Sequence, residues 1–134
     1  MDWMILPLKR YADFRGRSCR REYWMFALMH FAIGMLLYVP IFGAMLSAET
    51  SEPPAMLGVC VPLFILYVLV MFVPALAVQV RRLHDLDKSG WMMLIGFVPL
   101  VGGLILLYFM CSAGTKGPNR YGPEPSGDDA ILPA

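Results

Sequence analysis

The chain has 134 residues, 58% of them hydrophobic and 16% charged, against about 45–50% and about 25% in an average soluble domain. Mean hydropathy is +0.61, and 11 Lys plus Arg against 10 Asp plus Glu leave a formal charge of +1, so no nucleic acid partner is implied. Seven charged side chains fall in the 89 residues 23–111, and five of these lie in 81–88; that distribution excludes an ordinary water-soluble globule.

The interfacial segment 3–15 and its flank combine Trp3, Ile5, Leu6, Leu8, Tyr11 and Phe14 with Lys9, Arg10, Arg15 and Arg17. This is the mixture of a short helix lying in the headgroup plane, with Pro7 expected at its first turn. A bilayer core of about 30 Å needs about 20 apolar residues, with every backbone polar group satisfied inside the segment. Three segments meet that length: 23–46 with 24 residues, 55–80 with 26 and 91–111 with 21. The first starts too far into the chain for a cleaved secretory signal and reads as a retained anchor. Residues 47–54, with Glu49 and Glu52, read as a short turn-rich loop. The second segment carries Pro62 and Pro74, which kink a membrane helix without ending it. The third, opened by Ser89-Gly90-Trp91, is interrupted by Pro99 and Gly102-Gly103; it is read as one span, with a re-entrant hairpin turning at 99–103 as the alternative. The expected fold is an all-α membrane protein, a small bundle of three transmembrane helices with a short N-terminal interfacial helix. One integral domain covers residues 1–125, and 126–134 are expected to be a disordered tail.

Lys and Arg in short flanks are retained on the cytoplasmic side. Six precede the first span (Lys9, Arg10, Arg15, Arg17, Arg20, Arg21) and three lie in the second loop (Arg81, Arg82, Lys88), against two in the tail (Lys116, Arg120) and none in the first loop. Three spans thus give nine against two. The N-terminus and second loop are expected in the cytoplasm, and the first loop and C-terminus outside.

Cys19, Cys60 and Cys111 lie far apart with no CxxC pair, which predicts neither a disulfide framework nor a metal site. P-loop, GxSxG, HExxH and GxGxxG strings are absent, which removes the main support for the common motif-bearing enzymes.

Chemistry, where the sequence offers any, lies in three clusters. Phe14-Arg15-Gly16-Arg17-Ser18-Cys19-Arg20-Arg21-Glu22-Tyr23-Trp24 sets four arginines immediately before a span. Guanidinium forks bind phosphate oxygens bidentately, and each basic residue beside anionic lipid adds about 1 kcal/mol. The plainer reading is a topology determinant, while Glu22 among the arginines points to fixed ion pairs. Arg81-Arg82-Leu83-His84-Asp85-Leu86-Asp87-Lys88-Ser89-Gly90-Trp91 mixes both signs. On a helix continuing to Asp85, Arg81 and Asp85 are i and i+4 and pair along one face, with Arg82 projecting away. His84 beside Asp85 suggests an acid/base pair. Adjacent helical residues do not face each other, so the preferred reading is a structural hydrogen-bonded network tying this loop to the first cluster. The third cluster, Gly114 to Pro125, alternates Gly and Pro as a compact turned segment capping the third span, with Lys116 and Arg120 in reach of phosphates. His30, the one imidazole inside a span, is a functional candidate by position and reads as a hydrogen bond to another helix.

Phe14-Arg15-Gly16-Arg17 with Arg20-Arg21-Glu22-Tyr23-Trp24, then Arg81-Arg82-Leu83-His84-Asp85 with Ser89-Gly90-Trp91, then Gly114, Gly117, Asn119-Arg120-Tyr121-Gly122 and Pro125 resemble the bacterial inner-membrane family called domain of unknown function 805. The likeness runs from about Trp3 to Pro125. It implies a small multi-pass protein of the bacterial cytoplasmic (inner) membrane with no assigned biochemical activity. Many members of that family have Gly where this chain has Asp87, which bears on whether a tight turn forms there.

Three functions compete. The leading one is a noncatalytic membrane module in which Arg15, Arg17, Arg20, Arg21, Arg81 and Arg82 form a cytoplasmic basic surface for anionic lipid headgroups or a partner membrane protein, with His84, Asp85 and Arg120 as further binding candidates. The second is a subunit of a small oligomeric transporter or channel. Its helices would be broken at Pro40, Pro62, Pro74 and Pro99 around His30, with Gly34, Gly43, Gly96, Gly102 and Gly103 permitting close packing in a homo-oligomer. The third is a lipid-headgroup enzyme with His84 and Asp85 as acid and base. The sequence assigns no catalytic residue, metal or cofactor.

Overall fold

The computed structural model describes residues 2–46 and 55–125. The expected loop at 47–54 and the expected tail at 126–134 lie outside the described residues. The helices are α1 (Asp2–Lys9), α2 (Arg20–Leu46), α3 (Ala55–Asp85) and α4 (Gly102–Cys111), with a 3-10 helix, Gly90–Phe97, between α3 and α4.

The interfacial segment is helical only to Lys9. Pro7 sits near the end of α1 and not in its first turn, buried together with Leu6. Residues 10–15 continue as turns: the Asp13 N–H donates to the Arg10 carbonyl at 3.2 Å, and the Arg10 guanidinium holds the Asp13 carboxylate at 2.7 Å.

α2 starts three residues before the apolar run, because Cys19 caps it. Its Sγ accepts from the Glu22 N–H at 3.5 Å and its carbonyl from the Tyr23 N–H at 3.2 Å. Glu22 thereby enters the first turn, where a carboxylate suits the helix dipole. α3 has 31 residues and so reaches about 46 Å, well past a core of about 30 Å. Pro62 and Pro74 lie inside it without breaking it. The two long helices are antiparallel, since Tyr38 of α2 meets Phe64, His30 meets Tyr67 and Glu22 meets Arg81. His30 uses its neighbour helix as expected: the Tyr67 hydroxyl lies 2.7 Å from its Nδ1 and donates to its carbonyl at 3.0 Å.

Burial is concentrated at one end of the pair. Phe26, Ala77, Val78, Leu83 and Met110 are nearly solvent-free, whereas Leu36 and Leu69 are 75% and 65% exposed. Among the described residues two helices, α2 and α3, are long and apolar enough to cross a membrane, and lipid is the solvent that makes such outward-facing apolar walls stable.

The third apolar segment is not the continuous 91–111 helix expected first. Ser89 starts the 3-10 helix by accepting from the Trp91 N–H at 3.4 Å; the chain then turns at 98–101, with Leu100 at φ +69°, and returns as α4. Gly102 is required at this turn, because a Cβ there would lie 2.0 Å from the Ile95 carbonyl oxygen. The two arms pack together, a Cβ on Gly96 falling 2.7 Å from Leu106. Each arm is short: α4 has 10 residues, about 15 Å or half a bilayer core. Both ends of the hairpin meet the C-terminal end of α3, Gly90 against Val80 and His84, and Gly114 against Asp85.

Candidate functional site

All three sequence clusters converge at that end of α3, and the convergence is built on arginines. Asp85 is the hub. Its Oδ1 accepts from Arg17 Nε at 2.9 Å and Nη2 at 2.8 Å, and its Oδ2 accepts from Arg82 Nη1. Arg17 then reaches into the third cluster, with Nη1 donating to the Gly117 carbonyl at 2.6 Å and Nη2 to the Thr115 carbonyl at 2.5 Å. Arg82 donates to the carbonyls of Ser112 and, at 3.5 Å, Met110, so it caps the C-terminal end of α4 where carbonyls lack helical partners. Arg81 organises the first cluster through Ser18 Oγ at 2.9 Å, Glu22 Oε1 at 3.0 Å and the Asp13 carbonyl at 3.0 Å.

The third cluster repays this by capping α3. The Thr115 N–H donates to the Asp85 carbonyl at 2.8 Å, Thr115 Oγ1 to the same oxygen at 3.0 Å and Asn119 Nδ2 to the His84 carbonyl at 2.9 Å. Gly114 has no room for a side chain, as a Cβ would sit 2.1 Å from Asp85 Oδ2.

Arg17, Arg81, Arg82, Glu22 and Asp85 are all buried. Three cations against two carboxylates leave one positive charge in excess, and the backbone carbonyls just named share it. Among the described residues, no buried side-chain polar atom lacks a partner, which is the condition under which a buried ionic cluster is tolerated. Burial pushes the Glu22 carboxyl above its ordinary range despite the facing Arg81 guanidinium.

This arrangement corrects two expectations. Arg17, Arg81 and Arg82 do not lie on a surface, because their guanidiniums are consumed by carboxylates and carbonyls inside. Asp85 pairs with Arg82, three residues back, and with Arg17, while Arg81 turns to Glu22 instead of Asp85. Of the other sequence candidates, Arg15, Arg20 and Arg21 are exposed, with Arg20 Nη1 3.4 Å from the Cys111 carbonyl. Arg120 is exposed, pairs with Asp87 at 3.1 Å and lies over the Tyr121 ring at 4.9 Å.

His84 and Asp85 point apart and form no acid/base pair: His84 Nδ1 lies 3.2 Å from the Gly16 carbonyl, and its ring stacks on Tyr121 at 3.8 Å and 5°. Beside them an open cleft of about 410 Å³ is walled by Phe14, Val80, Trp91, Met93 and Tyr121, with His84 among its lining residues. Ser18, Thr115, Asn119 and Tyr121 lie within the sequence clusters but had no role assigned there; polar residues in Gly-rich turns suit many roles, and only the fold shows which partner each one meets.

The chain matches the family described as "Protein of unknown function (DUF805)" over residues 11–123. It belongs to the DUF805 family. The matched range covers the first two converging clusters and the third as far as Pro123. The chain is 43% identical to inner membrane protein YhaI of Escherichia coli (strain K12), over 93% of this chain and 96% of that protein. It is 41% identical to inner membrane protein YhaH of the same organism, over 93% and 97%, and 31% identical to E. coli protein YiiR, over 84% and 85%. No solved structure matches the chain.

Proposed function

We propose that this DUF805 protein is a noncatalytic module of the bacterial inner membrane. It crosses the bilayer twice, holds its third apolar segment as a re-entrant hairpin, and presents exposed arginines to anionic lipid headgroups from the cytoplasmic side. The observation that carries this reading is the 2.8 Å hydrogen bond from the Thr115 N–H to the Asp85 carbonyl, which returns the chain to the level at which the hairpin began. With both ends of the hairpin on one face, all 11 Lys and Arg lie on that face, since residues 47–54 contain none. Eleven against none is a stronger cytoplasmic bias than nine against two.

In this reading the buried arginines act from within, fixing the three clusters as one rigid head. The lipid-facing charge falls to Arg15, Arg20 and Arg21, with Lys9 and Lys116, whose side chains are exposed. Exposed guanidiniums beside an anionic leaflet are attracted by about 1 kcal/mol each, and no reactive group has to be invoked.

Side-specific labelling tests the topology. Single cysteines replace Ser51 and Lys116 in a background lacking Cys19, Cys60 and Cys111, and an impermeant maleimide is applied to intact cells. Ser51→Cys should be labelled, and Lys116→Cys only after permeabilisation; labelling of both from outside would restore three crossings. For the lipid contact, native mass spectrometry from nanodiscs should show anionic lipid retained over phosphatidylcholine, with the excess reduced in the Arg15→Gln, Arg20→Gln double variant. Equal retention of both lipids would end this reading.

A further inference from the structure

The cleft beside the hub has the size of a ligand site, about 410 Å³ where such sites span about 300–1,000 Å³. Val80, at the end of the apolar stretch of α3, lines it together with Trp91 and Met93. Phe14 and Tyr121 also line it, and the Arg120 guanidinium, paired with Asp87 at 3.1 Å, lies 4.9 Å from the centre of the Tyr121 ring. The cleft is thus walled mainly by apolar and aromatic side chains, with one guanidinium behind the Tyr121 ring.

His84 sets the polarity within it. Its Nδ1 faces the Gly16 carbonyl at 3.2 Å, and a carbonyl only accepts, so Nδ1 carries the proton and Nε2 is left as an acceptor. Nε2 lies on the Gly90 side of the ring, 3.5 Å from where a Gly90 Cβ would stand, and Gly90 lines the same cleft. The parallel Tyr121 ring, 3.8 Å away, holds the imidazole in this orientation. A group bound against Nε2 must donate a hydrogen bond. With the Arg120 guanidinium over the neighbouring Tyr121 ring, a neutral hydroxyl suits the position better than a second cation.

We infer that the cleft binds an anionic phospholipid whose headgroup carries a hydroxyl. The phosphodiester sits beside Arg120, the hydroxyl donates to His84 Nε2, and an acyl chain lies along Val80, Trp91 and Met93. This rests on the proposed contact of the basic face with anionic headgroups and adds to it a shaped, headgroup-selective site.

Two lipids of equal charge and equal chains separate the two ideas: phosphatidylglycerol, with hydroxyls, and phosphatidylethanol, with none. The full-length protein is reconstituted in nanodiscs of phosphatidylcholine containing equal amounts of both, and retained lipid is counted by native mass spectrometry. Phosphatidylglycerol should exceed phosphatidylethanol by about three- to tenfold, the worth of one good hydrogen bond. His84→Phe, which keeps the stack on Tyr121 and loses the acceptor, should bring that ratio to about one while both anionic lipids still exceed phosphatidylcholine. Met93→Trp, which fills the cleft, should do the same and replaces the first variant if His84→Phe does not fold. Equal retention of the two anionic lipids by the wild type, or a preference that survives both variants, overturns the cleft site and leaves the basic-face reading standing. No preference for either anionic lipid over phosphatidylcholine overturns both.

Discussion

The Tyr11 hydroxyl donates to the Val70 carbonyl at 2.5 Å, and the reason is Pro74. In an α-helix the Val70 carbonyl accepts from the N–H four residues on, and a proline there has none to give. The turn after α1 therefore supplies from outside the donor that α3 lacks, and it does so beside a proline that is itself buried. Tyr11→Phe should cost about 0.5–1.5 kcal/mol in unfolding experiments in mild detergent. Pro74→Ala restores the missing N–H, so in that background Tyr11→Phe should cost close to nothing. A double-mutant cycle with no coupling would show that the contact does not answer the proline.

Asp85 holds two guanidiniums at once, and its substitution should be the most damaging single change in the head. Asp85→Asn leaves Arg17 and Arg82 buried without a counter-charge, a loss of about 3–5 kcal/mol for a broken buried pair. Arg15→Gln, at an exposed site, should stay within about 0.5 kcal/mol. Denaturant unfolding of the two variants beside the parent measures the contrast; similar small losses would mean that the hub is not the stabilising element.

Much of this was legible in the residues, and the exceptions have physical causes. The long helices were readable because a bilayer core admits almost no charge, so the uncharged runs up to Leu46 and Val80 mark them. Glu22 among arginines signalled an ion pair, and Arg81 supplies it. The burial of Arg17 and Arg82 was not readable, because apart from Asp85 their acceptors are backbone carbonyls, at Met110, Ser112, Thr115, Gly117 and Gly122, which carry no residue code. A guanidinium beside a span looks the same whether it meets a phosphate or a carbonyl. The third segment passed the length test for a span, while its actual course depends on Gly102 accepting a contact no other residue could. Asp87 shows the opposite case: it adopts φ +56°, so the tight turn forms without glycine, as a short polar side chain tolerates this region better than most.

His84 makes stability depend on pH. Burial holds its pKa below the ordinary value, and the Arg120 guanidinium adds to this while the Gly16 carbonyl opposes it. The unfolded chain thus binds a proton more readily than the native one, and stability rises with pH across the window below the ordinary value of about 6.5. Stability is fully present above that value and declines as pH falls through it. Glu22, raised by burial, contributes with the opposite sign, so the informative quantity is the difference between the parent and His84→Phe. That difference should shrink from pH 7.5 to pH 5.5 in thermal unfolding, and a difference independent of pH would mean that His84 titrates alike in both states.

Neighbouring glycines at the hairpin turn should respond in opposite directions to the same substitution. A Cβ on Gly102 would lie 2.0 Å from the Ile95 carbonyl oxygen and 3.0 Å from its carbon, both backbone atoms that no rotamer change can move aside. Gly102→Ala must therefore push the 3-10 helix away from α4, at about 1–3 kcal/mol for overpacking. Gly103 meets nothing within 4 Å and lies inside α4, where alanine is favoured over glycine by about 0.5–1 kcal/mol. Gly103→Ala should be neutral to stabilising. Unfolding midpoints for the two variants, read side by side, test whether the turn is as tight as the Gly102 contact implies, because a continuous helix through 91–111 would accept alanine at both positions and gain from each.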